Sequence, residues 1–262
     1  MTRPSIAKLA AGSPLSDRQS RLIKSSQRLS RQVATMSFDM PVSHVYNPLK
    51  YAWKPHREYL LRCRVDTTRT LFLGMNPGPW GMAQTGVPFG QVEAVRGWLG
   101  INEPVDRPEN EHPRRPIEGF ACRRSEVSGE RLWGLFKSRF GTSDAFFNEH
   151  FVANYCPLVF MEASGKNRTP DKLAASEIKT LQSSCDQHLL TLINLLSPQF
   201  LVGVGAYAEA CLLRVVKSME NSTRQAMSVL RILHPSPASP AANRNWAGIA
   251  TSQLIDGGVW KP

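Results

Sequence analysis

Two stretches of the sequence combine side chains that can take part in catalysis with residues that stiffen the backbone. The first covers residues 74–90, reads GMNPGPWGMAQTGVPFG, and places Asn76 among five glycines and three prolines. Such a loop turns sharply and exposes backbone N–H groups, so it can hold an anion or lie against a planar ligand. It has neither the G-K-[ST] of a phosphate-binding P-loop nor a G-x-G-x-x-G, so neither nucleotide-binding motif fits.

The second stretch covers residues 234–246, begins with His234, and reads HPSPASPAANRNW. Its prolines predict a stiff, protruding loop, and Ser239 and Pro240 predict the start of a helix. A lone histidine is most often structural, but His234 comes at the carboxyl end of an apolar run, where ligands bind in α/β proteins. We therefore regard His234 as a candidate functional residue and the loop as a candidate wedge.

Apolar runs and helical periodicity predict the elements that must position these residues. Four apolar runs predict strands, at residues 68–75, 150–154, 199–204 and 228–233. Helical patterns lie between them, at residues 51–64, 89–99, 131–140, 169–196, 206–217 and 240–254. This alternation predicts an α/β fold with a parallel sheet and helices on both faces. Since ligands bind at the carboxyl ends of such strands, residues 74–90, 154–160 and 234–246 should share one edge.

The charge is concentrated in an N-terminal segment. The chain has 262 residues and a net charge of +11, which is typical of nucleic-acid-binding proteins. Residues 1–38 hold seven Lys and Arg against one Asp, so more than half of the net charge lies there. We expect this segment to be a disordered extension, with a nucleic-acid-binding arm or an organellar presequence as alternatives. Residues 39–262 should form one domain, in which the polar stretch 102–129 is typical of a functional or disordered loop.

The five cysteines show no metal-binding or disulfide pattern. They are widely spaced, without a C-x-x-C pair or a cluster with histidine, so we expect no metal, no iron–sulfur cluster and a reducing compartment. No apolar run is long enough for a membrane-spanning helix.

Together, the two stretches resemble a known enzyme family. They are similar to motifs of the single-strand-selective monofunctional uracil-DNA glycosylases, in the uracil-DNA glycosylase superfamily. The resemblance covers roughly residues 45–257 and includes SEVSG, NYCPL, SGKNRTP and LVGVG, at residues 125–129, 154–158, 164–170 and 201–205. It implies a three-layer α/β/α sandwich around a four-stranded parallel sheet. It also implies a DNA repair enzyme that hydrolyses the N-glycosidic bond of uracil without a cofactor and without cutting the strand.

The resemblance assigns roles to individual residues. Asn76 would hold the attacking water, and His234 would donate a hydrogen bond to O2 of the departing uracil. Phe89 would stack on the base after it has flipped out of the DNA, and the amide of Asn154 would pair with its Watson–Crick edge.

Three further residues would line the same pocket. These are Met75, Gly78 and Met82, of which the last two would lie near C5 of uracil. A glycine at position 78 would leave room for a water molecule there, so that a hydroxymethyl group at C5 is accepted and the methyl group of thymine is rejected.

The wedge would supply the contacts with DNA. Its residues are Pro235, Ser236, Pro237, Ala238, Ser239, Pro240, Asn243 and Arg244. Family members often have an arginine where this chain has Ala238, so Arg244 is the basic residue of this segment that could grip the strand.

The substrate implied is uracil-containing DNA, single- or double-stranded, including C5-oxidised uracils, and the enzyme would act as a monomer in the nucleus. Two alternatives stay open: a mismatch-directed glycosylase that removes thymine or uracil, and a non-catalytic DNA-binding relative. The presence of both Asn76 and His234 argues against the second alternative.

Overall fold

Two β-sheets and the helices around them make up the fold, which a computed structural model describes for residues 15–262, except for the side chains at positions 222 and 223. The strands are β1 (Val42–Tyr46), β2 (Thr70–Gly74), β3 (His150–Asn154), β4 (Val159–Glu162), β5 (Asn167–Arg168), β6 (Phe200–Val204) and β7 (Ser228–Ile232). The helices are α1 (Asp17–Ala34), α2 (Pro48–Tyr51), α3 (Trp53–Arg62), α4 (Met82–Thr85), α5 (Val127–Phe140), α6 (Ser143–Phe147), α7 (Ala175–Leu196), α8 (Ala206–Lys217), α9 (Asn221–Gln225) and α10 (Pro240–Asp256). Single helical turns cover Ala94–Trp98, Gly119–Ala121 and Pro170–Lys172.

The central sheet has four parallel strands in the order β3-β2-β6-β7. Every residue of β2, β3 and β6 is buried, whereas β7 is an edge strand and partly exposed. Helices α1, α7 and α8 pack together, as do α5, α6 and α10, and the sheet lies between helical layers. The predicted α/β/α sandwich is confirmed, and the predicted strand positions agree closely with these strands.

The strand register brings two parts of the candidate site side by side. β2 and β3 end level with each other, because Gly74 pairs with Asn154. The pairing continues past the strand ends, where the N–H groups of Tyr155 and Cys156 donate to the carbonyl oxygens of Gly74 and Met75, both at 2.9 Å. The glycine-rich loop therefore begins directly beside Asn154.

A second, smaller sheet was not predicted from the sequence. It is antiparallel, in the order β1-β4-β5. Its strands have five, four and two residues. Strands this short carry too few alternating positions to stand out from loop sequence.

Helix α1 corrects the prediction of a disordered extension over residues 1–38. Its N-cap is Ser16, whose side chain accepts a hydrogen bond from the N–H of Gln19, and Leu22, Leu29 and Val33 are buried against the domain. Ser25 is also buried and bonds Nδ1 of His188 on α7 at 2.8 Å. Residues 1–14 lie outside the described part of the chain, so the prediction stays untested there.

Two further predictions change in detail. The helix expected at residues 89–99 does not include Phe89, whose φ of 53° is left-handed. Helical geometry begins only at Val92 and continues as a π-helical turn over Ala94–Trp98. The long polar stretch 102–129 is partly ordered by the fully buried amide of Gln84. Its nitrogen donates to the carbonyl oxygens of Pro79 and Pro116, both at 3.0 Å, and its oxygen accepts from the N–H of Glu118 at 2.8 Å. Gln84 thus ties this stretch to the glycine-rich loop.

Candidate active site

The candidate site lies at the carboxyl edge of the central sheet, where β2, β3 and β7 end. The glycine-rich loop after β2 supplies Asn76 and Phe89, the end of β3 supplies Asn154, and the segment after β7 supplies His234. The sequence predicts this convergence, and the parallel register produces it.

Asn154 presents an unsatisfied acceptor in a nearly closed space. The residue is 9% exposed, and its Oδ1 has no hydrogen-bond partner among the described residues. Its Nδ2 lies 3.3 Å from Sδ of Met82, which is a weak acceptor. A buried amide oxygen without a partner costs about 1–3 kcal/mol, so this arrangement favours a ligand with an N–H group. The same ligand could offer a carbonyl oxygen to Nδ2.

Gly74, the last residue of β2, makes the space that this amide faces. A Cβ atom at Gly74 would lie 2.4 Å from Oδ1 of Asn154 and 2.5 Å from Cε2 of Phe89. No side chain larger than hydrogen fits there without displacing one of the two groups. Gly74 is not among the residues predicted for the site, although a glycine that ends a buried strand is a signal of close approach.

Phe89 forms an aromatic wall and has an uncommon backbone conformation. Its side chain is 7% exposed, and its ring centroid lies 6.4 Å from that of His234 at an interplanar angle of 45°. A left-handed φ is rare for a bulky residue and collects at functional sites. Gly129 on α5 allows it, because a Cβ atom there would lie 2.1 Å from the carbonyl oxygen of Phe89.

The side chain of Asn76 has a fixed orientation. Its Nδ2 donates to the carbonyl oxygen of Leu158 at 3.1 Å, with a longer contact of 3.4 Å to that of Pro77. Because the nitrogen is engaged with the backbone, Oδ1 is the group of this amide that can accept a hydrogen bond from water.

His234 is held as a neutral hydrogen-bond donor. Its Nδ1 accepts a hydrogen bond from the N–H of Ser236 at 3.1 Å, so the proton of the neutral ring belongs on Nε2. Burial lowers the pKa of His234 below its ordinary value of 6.5. Gly205 (φ 93°) lets the ring approach, because a Cβ atom there would lie 3.1 Å from Cβ of His234.

Arg131 on α5 holds the predicted wedge in place, and it is not among the residues predicted from the sequence. Its guanidinium group donates to the carbonyl oxygen of Pro235 at 3.1 Å and to Oδ1 of Asn243 at 3.0 Å. Nδ2 of Asn243 donates to the carbonyl oxygen of Pro237 at 2.8 Å. The side chain of Asn243, which was predicted to bind DNA, therefore forms its hydrogen bonds within the wedge. It links Arg131 to the carbonyl oxygen of Pro237.

Other wedge residues divide into supporting and exposed groups. Oγ of Ser239 caps α10 by accepting from the N–H of Ala242 at 3.3 Å, and Pro235 is buried. The exposed residues that could face DNA are Pro237, Ala238, Pro240 and Arg244. Oγ of Ser236 accepts from the N–H of Ala238 at 3.1 Å, which stiffens the tip.

Glu126 corrects the prediction for Gly78. Cβ atoms at Gly78 and Gly81 would lie 2.3 Å and 2.1 Å from Oε2 of Glu126, so these glycines make room for a carboxyl group, where the sequence predicted room for water. This Oε2 is buried without a hydrogen-bond partner in the described part of the chain. Burial raises the pKa of Glu126 to about 7, against the smaller effect of the nearby N–H of Gly81.

Within residues 15–262, no three His, Cys, Asp or Glu side chains are grouped so that they could hold a metal ion. No helix in the same range is long and apolar enough to cross a membrane. The site as described offers an amide edge, an aromatic wall, an acceptor for water and a neutral imidazole donor. This set suits a planar heterocycle that carries adjacent N–H and C=O groups.

Comparisons with known proteins agree with this chemistry. The family model for the uracil DNA glycosylase superfamily matches residues 62–251. The chain is 45% identical, over 88% of its length and 82% of the relative's, to the single-strand selective monofunctional uracil DNA glycosylase of Mus musculus. The proteins of that name from Bos taurus and Rattus norvegicus are 45% and 46% identical, over 84% and 82% of their lengths.

A solved structure shares the fold. The crystal structure of wild-type SMUG2 from Pedobacter heparinus superposes with a TM-score of 0.64 and 16% identity, covering 92% of this chain and 97% of that one. At this identity the likeness concerns the fold alone.

Proposed function

The chain belongs to the uracil DNA glycosylase superfamily, and we propose that it is a monofunctional enzyme that hydrolyses the N-glycosidic bond of uracil in DNA. The observation that carries the proposal is the amide of Asn154, whose buried Oδ1 has no partner among the described residues. It would accept from N3–H of uracil while Nδ2 donates to O4. Cytosine presents the opposite pattern, an acceptor at N3 and a donor at N4, and would leave both amide groups unsatisfied.

The enzyme can reach this bond only after the nucleotide has left the base stack. Phe89 would stack on the flipped base, with Gly74 beneath the edge that Asn154 reads and the backbone of Met75 and Gly78 along its side. Met82 would lie near C5, where its flexible thioether can adapt to a substituent. The wedge, braced by Arg131, would fill the gap in the DNA.

Bond cleavage would move the electron pair of the C1′–N1 bond onto the uracil ring, with negative charge developing at O2. The Nε2–H of His234 would donate to O2 and stabilise that charge, as donors in an oxyanion hole do. C1′ would become an oxocarbenium ion, and water held by Oδ1 of Asn76 would add to it. An amide cannot take a full proton, so the proton released by the water would pass to solvent or to the uracil anion.

We also propose which forms of DNA and which C5-substituted uracils the enzyme accepts. We expect the enzyme to accept single- and double-stranded DNA and 5-hydroxymethyluracil, and to reject thymine. A hydroxymethyl group can form a hydrogen bond with a polar group near C5, whereas the methyl group of thymine cannot. The wedge residues Pro237, Ala238 and Arg244 would contact the DNA.

The enzyme would act as a monomer in the nucleus. Light scattering would check its oligomeric state, and a fluorescent fusion would check its location in the cell.

The test is incubation with uracil-containing oligonucleotides, single- and double-stranded, in excess chelator and then with alkali. Free uracil should appear in chelator, and strands should break only after alkali treatment. Complete loss of activity in chelator, or strand breakage without alkali, would contradict the proposal. Matched oligonucleotides with 5-hydroxymethyluracil or thymine test the finer claim.

A further inference from the structure

Two arginines lie over the indole ring of Trp80, beside the candidate site. Cζ of Arg124 is 4.5 Å from the ring centroid and Cζ of Arg115 is 5.2 Å from it. Cation–π contacts of this kind hold a guanidinium group in place while its N–H groups stay available. The ring therefore positions two positive charges at one point of the surface.

These charges are not neutralised by the protein. No carboxylate oxygen of the described residues lies within 4.0 Å of the guanidinium nitrogens of Arg114, Arg115, Arg123 or Arg124. Arg115 makes one side-chain bond, to the carbonyl oxygen of Arg114 at 3.0 Å, and its buried Nε has no partner in the same part of the chain. Arg114, Arg123 and Arg124 are exposed.

The cluster borders the pocket loop. Trp80 stands between Gly78 and Gly81, the two glycines that contact Glu126, and Arg124 precedes Glu126 by two residues. An open groove of about 490 Å³ continues from here, with Gln91, Phe120, Arg123 and Arg124 among its lining residues. Arg96 and Glu93 also line it and form an ion pair at 3.8 Å, so the unpaired cations among the described residues of the groove are Arg123 and Arg124. Gln91 follows Phe89, the aromatic wall of the pocket, by two residues, so the groove borders the loop that carries this wall.

We propose that Arg115, Trp80, Arg124 and this groove bind the phosphodiester backbone of a single DNA strand next to the flipped nucleotide. The inference rests on the proposed function for its choice of DNA. Guanidinium groups pair bidentately with phosphate, and unpaired cations along a groove are the usual way to follow a single strand. A wedge fills the gap that a flipped base leaves in a duplex, and a single strand has no such gap. On a single strand, this surface would therefore supply binding contacts that the wedge cannot.

The experiment measures binding of an unmodified single-stranded DNA oligonucleotide by fluorescence anisotropy over a series of salt concentrations. Arg124→Ala should raise Kd about 10-fold at low salt and reduce the salt slope by about 0.7 per lost phosphate contact. Trp80→Leu should act in the same direction by releasing both guanidinium groups. The matched control is Arg64→Ala, an exposed arginine just before β2, at the opposite edge of the sheet; its effect should be small.

The outcome that overturns the inference is an Arg124→Ala effect no larger than that of Arg64→Ala, or tighter binding of RNA than of DNA of the same sequence. Because Arg124 is exposed, its substitution should leave the fold intact, and circular dichroism checks this. Since the oligonucleotide contains no uracil, binding is tested apart from catalysis. If wild-type protein released no uracil but its binding depended on Arg124, the surface would stand and the proposed function would fail.

Discussion

Nδ1 of His234 accepts the backbone N–H of Ser236 at 3.1 Å, so the histidine at the candidate site is bonded to the first turn of the wedge that follows it. This bond needs an unprotonated Nδ1, and it directs the remaining N–H of the ring, on Nε2, toward a ligand. The position of the wedge and the tautomer of this candidate catalytic group are therefore linked.

The pH dependence of uracil release should reflect this neutral state. Burial lowers the pKa of His234 below 6.5, so the ring is mostly neutral at pH 6.5 and above. Protonation of Nδ1, which breaks the bond with Ser236, occurs at lower pH. We expect no change of rate due to His234 between about pH 8 and pH 6.5, and a limb due to His234 below pH 6.5. Single-turnover rates would show this, with His234→Gln removing the limb. A limb above pH 6.5 that disappears in His234→Gln would contradict it.

Removing either of the two proposed catalytic side chains should reduce the rate without unfolding the protein. Asn76→Ala loses the acceptor for water, and His234→Ala loses the donor to O2. Each should lower the single-turnover rate about 10²–10⁴-fold, since each removes a transition-state interaction. Asn194→Ala, an exposed asparagine on α7, is the control and should keep its rate. Near-normal turnover in both site variants would place the chemistry elsewhere.

The structural features that can be predicted from the sequence are those encoded in a short, continuous run of residues. The central strands were predictable because buried parallel strands read as unbroken apolar runs. Helix α1 was not, because buried Ser25 and Ser26 interrupt its apolar stripe. The candidate site residues converge at the carboxyl edge of the sheet, as expected. The contact between Gly78 and Glu126 could not be predicted, because the two residues are distant in sequence and no local pattern indicates it.

Glu126 should make stability depend on pH. Burial raises the pKa of its carboxyl group from 4.5 to about 7, so between these values the unfolded chain loses the proton while the folded chain keeps it. The free energy of unfolding should therefore fall as pH rises from about 4.5 to 7 and level off above, by at most about 3 kcal/mol. Glu126→Gln cannot ionise and should flatten this part of the curve in urea titrations. Glu130→Gln, at an exposed position in the first turn of the helix that follows Glu126, is the control, and an unchanged slope in Glu126→Gln would refute the assignment.

Gly74→Ala should close the pocket. The new Cβ atom would lie 2.4 Å from Oδ1 of Asn154 and 2.5 Å from Phe89, so the amide or the ring must move out of position. We expect uracil release to fall at least about 100-fold, and a loss of stability of about 1–3 kcal/mol from overpacking. The control is Gly134→Ala on α5, where a Cβ atom meets nothing within 4 Å. Full activity in Gly74→Ala would mean that the base binds elsewhere.

The amide of Asn154 is the group that we propose selects the base. In Asn154→Asp the carboxylate can still accept from N3–H of uracil, but it has no N–H for O4 and repels that oxygen. The loss of the donor and the new repulsion should together cost roughly 2–4 kcal/mol, a decrease in uracil release of about 30- to 1000-fold. Met82, whose Sδ lies 3.3 Å from the amide nitrogen, offers no donor to compensate.

The same substitution should create weak release of cytosine. Cytosine has a donor at N4 that one carboxyl oxygen can accept, and its release needs the minor form of the enzyme in which the other oxygen is protonated and donates to N3. Single strands should respond more than duplexes, because a paired cytosine must first leave a stable G·C pair. The measurement is the ratio of cytosine to uracil release in Asn154→Asp against the parent enzyme. If uracil release stayed intact and the ratio did not rise, Asn154 would not be the residue that reads the base.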